Sequence, residues 1–374
     1  MQNTEDEQRA GSQAIDGDAI APVDGEEYVR WAYRLLLGRE PESPDTIQSN
    51  PFKNNRQRLV QSVLSSSEFQ RSNFFVSLLS SNNDVLSSEF EINKLRRREK
   101  RWDNIGELRR WARAVPMGNG TILCRTLGKY KHYVSETDIG LSPYIMLDGF
   151  FEYAITEFVA RNVSQGMTVI DLGANYGYYT ILMADLVGES GKVYAFEPNP
   201  AALDAIGRSL KVNNFDRRVS LDGRAIWDRS NEHVTFHVPE VAATNARIVW
   251  PLDSRLPPSD PGTSDAGSTT IETIALDDLP LSGVSFVKAD IEGAEERLWQ
   301  GGGRFFERNP DVIFLLEFNR LRCQDPGETL RQMNQVFSLR YLNDESKVQP
   351  VRVEEILATA HDWMLVLSRR GEID

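Results

Sequence analysis

Val169-Ile170-Asp171-Leu172-Gly173-Ala174-Asn175-Tyr176-Gly177-Tyr178-Tyr179-Thr180 reads as an apolar strand that breaks into a glycine turn and continues as a helix. A glycine turn at the end of the first strand of a β-α-β unit is the general mark of a nucleotide-binding sheet, and one copy alone is a weak signal. Here the spacing Gly173, Asn175, Gly177 departs from G-x-G-x-x-G, and Asn175 stands where the turn needs a residue tolerant of positive φ. Asp171, just before the turn, is expected at the mouth of the strand. A carboxylate there would repel a dinucleotide pyrophosphate but would suit a ligand carrying an ammonium and a sulfonium. S-adenosylmethionine is such a ligand.

Working outward, strands and helices alternate. The pattern predicts strand 168–172, helix 177–187, strand 192–197, helix 201–212 and strand 218–226. After an insertion over 228–271 come strand 284–291, helix 294–309, strand 312–318, a helix around 328–337 and a last strand 363–367. Such alternation predicts an α/β domain with a parallel sheet and helices on both faces. Ligands bind at the carboxyl ends of its strands, near the point where strand order reverses.

That rule selects the candidate residues. The second strand ends in Phe196-Glu197-Pro198-Asn199, about 20 residues beyond Gly177, where a carboxylate can accept both ribose hydroxyls. The third should supply an adenine wall from Gly223, Ala225 and Ile226. The fourth ends Lys288-Ala289-Asp290-Ile291-Glu292-Gly293-Ala294-Glu295, and Asp290 and Glu292 are expected to face the transferred methyl group. Methyl transfer to a hydroxyl is an in-line displacement in which a proton must leave, so a positioned carboxylate is required. Lys288 either pairs with a carboxylate or orients the substrate. Glu295 and Glu296 fall in the first turn of the next helix, where negative charge complements the dipole. Glu317 ends the following strand, and Asp290, Glu292 and Glu317 together offer a divalent-cation variant beside the metal-free one. His361 is either a base or a structural histidine. The segment 251–268, dense in Pro, Ser, Asp and Gly, is a loop with a lid among its readings.

Composition narrows the class. A formal charge of −13 over 374 residues argues against binding a nucleic-acid backbone. Cys124 and Cys323 are too few for a disulfide framework and lack metal-ligand spacing. No run approaches the ~20 apolar residues of a membrane span. A cytoplasmic protein is expected.

Residues 1–25 are acidic and polar and read as a disordered tail. Residues 26–115 carry helical periodicity, in Tyr28, Trp31, Ala32, Leu35 and Leu36, then Leu59, Val60, Val63 and Leu64, then Phe74, Phe75, Leu78 and Leu79. A small all-helical domain is predicted there, with the α/β domain over 116–374. It is a candidate surface for homo-oligomer formation. The basic run Lys94 to Arg101 reads as a solvated or connecting helix, with contact to an anionic surface such as lipid headgroups as the alternative.

Taken together, Asp171 to Gly177, Phe196 to Asn199, Leu276-Asp277-Asp278-Leu279, Val287 to Glu295 and Leu316-Glu317 resemble the FkbM family of S-adenosylmethionine-dependent methyltransferases. The resemblance covers roughly 142–367. It implies a Rossmann-like methyltransferase sheet, mostly parallel with an antiparallel last strand, and O-methylation of a hydroxyl on a sugar or natural product. Its motif positions imply cofactor contacts from Asp171, Gly173, Ala174, Asn175, Gly177, Tyr178, Glu197, Pro198, Asn199 and Ala225. Around the reacting groups they imply Lys288, Asp290, Glu292 and Glu295. Asp148-Gly149-Phe150-Phe151-Glu152 resembles the family segment before the first strand, which makes Glu152 and Tyr144 further candidates. The segment Tyr28 to Pro41 resembles a small helical domain of unknown function found in bacterial proteins, often beside enzymes of surface-polysaccharide metabolism. The acceptor expected is a sugar hydroxyl of a glycan, glycolipid or nucleotide sugar. The alternatives are a small secondary metabolite, or a scaffold that binds the cofactor without catalysis.

Overall fold

The computed structural model describes residues 29, 33, 41, 43–51, 59, 62, 89–237, 247–248, 268–371 and 373. The chain divides into two compact units, Met1–Ser88 and Glu89–Asp374. In the first, a short helix Pro44–Gln48 is capped by the Ser43 side chain, and Val29, Ile47 and Leu59 are buried. The expected tail, most of the expected helices and all but the last residue of the loop 251–268 lie outside the described residues.

The second unit begins at Glu89, not at 116. Phe90, Ile92, Leu95, Ile105 and Leu108 belong to the same hydrophobic core as the sheet strands. The basic run explains the difference, because its cations are spent inside this unit. Lys94 pairs with Glu107 at 3.0 Å, Arg96 donates to the Val163 carbonyl, Arg98 to the Ser346 carbonyl, and Arg101 to the buried Glu157. These clips favour the connecting-helix reading of the run over a lipid-facing one.

Elements of this unit are numbered in chain order. Helix α1 (Arg101–Trp111) leads into the antiparallel sheet β1 (Arg113–Gly118), β2 (Thr121–Thr126) and β3 (Tyr130–Ser135). Helices α2 (Ser142–Leu147) and α3 (Tyr153–Asn162) then precede the main sheet. Its strands are β4 (Thr168–Leu172), β5 (Lys192–Phe196), β6 (Val219–Asp222), β11 (Val284–Ala289), β12 (Ile313–Phe318), β13 (Arg340–Leu342), β14 (Val348–Pro350) and β15 (Trp363–Leu367). They lie in the order β14-β13-β15-β12-β11-β4-β5-β6. From β6 to β12 every pairing is parallel, and β15 runs antiparallel between β12 and β13. Strand order reverses between β4 and β11, so a crevice opens at their carboxyl ends.

The centre of this sheet is buried on both faces, which is why its strands are continuous apolar runs. Alternate residues serve different layers. Val169, Val193, Phe286 and Leu315 pack in the core shared with α3, α4 (Tyr178–Val187), β2 and β3. Ile170, Phe196, Val287 and Phe314 pack against α6 (Glu295–Gln300), α7 (Gly303–Arg308) and α8 (Pro326–Val336). Helix starts follow local chemistry: α5 (Pro200–Val212) has proline in its first turn and is capped by the Asn199 side chain, and α8 likewise by Asp325.

Two predicted elements are broken by short-range geometry. The strand 218–226 splits after Asp222, whose carboxylate turns back onto the Arg224 amide and guanidinium. Its continuation β7 (Ala225–Trp227) leaves the main sheet and pairs with β10 (Thr269–Ala275), alongside β8 (His233–His237) and β9 (Arg247–Ile248). The helix 294–309 divides at Gly301-Gly302. A Cβ on Gly301 would fall 2.6 Å from the Trp227 carbonyl oxygen, so only glycine lets the chain turn against β7.

Candidate active site

A cavity of about 550 Å³ occupies the crevice at the carboxyl ends of β4, β5, β11 and β12. That volume falls in the range of small-molecule sites, about 300–1,000 Å³. Of the residues selected from sequence, Glu152, Gly173, Asn175, Glu197, Pro198, Ala225, Asp290 and Glu292 line it. So do Tyr144, Ile226 and Glu317.

One end is built by the turn after β4. Gly173 has φ +75°, and a Cβ there would come 1.8 Å from the Asp290 carbonyl oxygen, so the turn and the end of β11 are in direct backbone contact. Asn175 adopts φ 52°, as its position in the turn predicted. Its amide donates to Glu197 Oε2 at 2.7 Å, and the Asn199 amide donates to Glu197 Oε1 at 2.8 Å. Both carboxylate oxygens are thus fixed from behind and keep lone pairs for a diol. Burial pushes the Glu197 carboxyl up to about 7, with the two amides opposing it. Pro198, Ala225, Ile226 and Phe236 give this end an apolar wall.

The other end is acidic. Asp290 accepts from Lys288 Nζ at 3.1 Å. Glu292, in the left-handed region at φ 50°, is held by Arg322 Nη2 at 3.1 Å. Arg322 Nη1 binds Glu317 at 2.9 Å and lies 3.5 Å from Asp362. One ligand oxygen from each of Asp290, Glu292 and Glu317 lies within 4.8 Å of the others. Burial, then the charge of Asp290, pushes Glu292 up to about 8 and Glu317 up to about 9. Glu152, also left-handed at φ 40°, accepts from the Tyr179 hydroxyl at 2.9 Å, and burial raises its carboxyl.

Several selected residues stand one layer behind this lining. Asp171 is fully buried and accepts from the Thr180 hydroxyl at 2.5 Å. It does not reach the cavity, because strand alternation turns its side chain toward α4, opposite the register partner Lys288. Burial raises its carboxyl and Lys288 opposes that. The anionic character of the site is therefore carried by Glu152, Glu197 and Asp290. Lys288, expected near the reaction, is likewise buried, lies over the Tyr179 ring and holds Asp290 from below. Glu295 is buried and accepts from the Gly293 amide, bracing the loop after β11.

Ala174 and Gly177 shape the turn by backbone bonds to Phe196 and Ala174, and Tyr178 ties α4 to α3 through Thr156. Asn199 serves Glu197 and the cap of α5. His361 is exposed against Trp363 and does not line the cavity. Sequence reasoning missed Arg322, Asp362, Arg224 and Phe236. Arg322 follows Glu317 by five positions on the turn after β12, and that spacing was the available signal.

A reversing, mostly parallel sheet with an antiparallel last strand, and a glycine turn beside the buried acid Glu197, is the Rossmann-like fold of S-adenosylmethionine-dependent methyltransferases. Residues 171–346 match the methyltransferase FkbM domain. Among curated proteins it is similar to a protein-L-isoaspartate O-methyltransferase of Methanococcoides burtonii, 32% identical over 98 residues, 25% of this chain and 46% of that one. A second, from Methanothrix thermoacetophila, is 32% identical over 118 residues, 31% of this chain and 54% of that one. The chain thus spans about half the length of the curated relatives it matches. Among solved structures, the methyltransferase FkbM of Methylobacillus flagellatus matches 57% of this chain and 53% of its own at 15% identity and TM-score 0.33. An S-adenosylmethionine-dependent O-methyltransferase of Thermotoga maritima matches 70% and 87%, at 15% identity and TM-score 0.34.

Proposed function

We propose that the chain methylates a neutral sugar hydroxyl, in a glycan, glycolipid or nucleotide sugar handled in the cytoplasm. The observation that carries this reading is a single cavity whose wall holds six carboxylates, on Glu152, Glu197, Asp290, Glu292, Glu317 and Asp362, against the cations Arg224 and Arg322. Such a wall favours a cationic cofactor and an acceptor that is neutral at its reacting hydroxyl, and it opposes a carboxylate placed there, such as an isoaspartyl carboxylate. S-adenosylmethionine, when bound, supplies an electrophilic methyl group on a cationic sulfur.

The chain's own residues supply the rest. Glu197, oriented by two amides, accepts the ribose hydroxyls. Glu152 and Asp290 offer negative charge to the cationic end. One member of the Glu292 and Glu317 pair, in its ionised form, takes the proton released by the acceptor hydroxyl. A base whose pKa is raised toward the working pH is suited to that transfer.

Methylation of a small secondary metabolite would use the same groups. A calorimetric titration with S-adenosylmethionine tests the cofactor site, and binding is expected. Mass spectrometry of surface glycans from cells with and without the protein tests the acceptor. A repeat lacking one methyl group in the deficient cells is expected, and identical glycans would overturn the sugar reading. Binding without transfer to any acceptor would leave a scaffold.

A further inference from the structure

Three acidic side chains converge at the far end of the cavity, yet two of them, Glu292 and Glu317, are already bridged by one cation. Arg322 reaches Glu317 at 2.9 Å and Glu292 at 3.1 Å, with Asp362 at 3.5 Å. Its stem runs against Gly293, where a Cβ would lie 3.4 Å from Arg322 Cβ. Asp290, the third member of the cluster, is neutralised separately by Lys288 from below. Two fixed cations therefore serve the three acids.

A divalent ion bound by these groups would need oxygens at about 2.0–2.2 Å and would sit within a few ångströms of the guanidinium. Its affinity would fall by the Coulomb repulsion of a neighbouring unit charge and by the loss of ligands turned toward arginine. A planar fork with several donors can also hold two carboxylates in fixed directions.

We propose that Arg322 takes the position a divalent metal would occupy in the Asp290, Glu292 and Glu317 cluster, so that the acceptor proton leaves to an arginine-held carboxylate without a metal. Arg322 is thus a positioning residue that acts through Glu292 and Glu317. The inference rests on the methyl-transfer reading for its catalytic meaning, but its electrostatic content is independent of any acceptor.

The test is Mn²⁺ binding, read from the electron paramagnetic resonance of the free ion, on the full chain and on variants of it. The wild-type protein is expected to bind Mn²⁺ only weakly. Arg322→Gln removes the cation while leaving the acids, and its Mn²⁺ affinity should rise by about tenfold or more. Arg322→Lys keeps a charge and should stay within about threefold of wild type. Adding Asp290→Asn to Arg322→Gln should abolish the gain. Calorimetry with S-adenosylmethionine on wild type and the single Arg322 variants reports an intact cofactor end, and failure of wild-type protein to bind it would sink the methyltransferase reading without touching the Mn²⁺ result. Tight Mn²⁺ binding by wild type that disappears in Glu292→Gln would overturn the proposal. So would an Arg322→Gln protein that binds S-adenosylmethionine normally and gains no Mn²⁺ site. Should Arg322→Gln fail to fold, Arg322→Met with the same pair of readouts decides in the same way.

Discussion

Glu197→Gln separates a carboxylate that binds the cofactor from one that merely holds the turn. In wild type, each oxygen of Glu197 accepts a backbone amide, from Asn175 at 2.7 Å and Asn199 at 2.8 Å. Glutamine can satisfy only one of them and turns an NH₂ group toward the other. The ribose bonds lose their charge-assisted character at the same time. Hydrogen bonds to charged groups contribute about 1.5–3 kcal/mol each, so a net loss of about 2–3 kcal/mol in S-adenosylmethionine binding is expected. That is a Kd about 30- to 150-fold weaker. The assay is calorimetry at pH 8 and again at pH 6. With the wild-type carboxyl near 7, it is ionised at the higher pH and largely protonated at the lower. The gap between wild type and variant should therefore narrow at pH 6. A Kd within threefold of wild type at pH 8, or an equal gap at both pH values, would refute the role assigned to Glu197.

Other perturbations reach different parts of the unit. Glu197, Glu292 and Glu317 all have carboxyls raised by burial, to about 7, 8 and 9, so between pH 5 and 9 the folded protein holds more protons than the unfolded one. Ligand-free stability should fall as pH rises through that window, by about 3 kcal/mol for Glu197 alone, and a Tm that climbs from pH 6 to pH 9 would contradict it. Gly173→Ala forces a Cβ to within 1.8 Å of the Asp290 carbonyl oxygen, and denaturant melts should show a loss of more than about 3 kcal/mol together with loss of cofactor binding. Arg101→Met strands the fully buried Glu157 without its cation and should cost about 3–5 kcal/mol, much of it regained in the double variant with Glu157→Gln, while cofactor affinity of the folded protein is unchanged.

The sheet was legible because its central strands are buried on both faces and stand out as apolar runs between helical periods. Strand 363–367 was placed to the residue, since β15 is an uninterrupted apolar segment. Breaks were less legible. The end of β6 is decided by a side chain folding back from Asp222 to Arg224, and the break between α6 and α7 at Gly301 by the carbonyl of Trp227, far earlier in the chain. Neither shows in periodicity. At the site, strand-end position put Glu197, Asp290 and Glu292 on the cavity wall, yet it misjudged Asp171, for which the face of the strand mattered more than nearness to its end. Lys288 follows the first of its two readings, pairing with Asp290. Arg322 and Asp362 reach the cavity from turns, and only the folded chain brings those turns beside Glu292.

The β1 to β3 sheet lies wholly before the matched residues 171–346, but it reaches the cofactor turn. His132, buried on β3, shares a hydrogen bond with Thr126 at 3.1 Å through Nδ1 and donates from Nε2 to the Tyr176 carbonyl at 2.8 Å. Burial holds its pKa down to about 4, so the ring is neutral and keeps this donor arrangement across the physiological range. A protein trimmed to its matched residues would expose that carbonyl and the underside of α4. The smallest piece that can be expected to stand alone starts at Glu89, and the N-terminal third of that piece is a foundation for the turn as much as a neighbour to it.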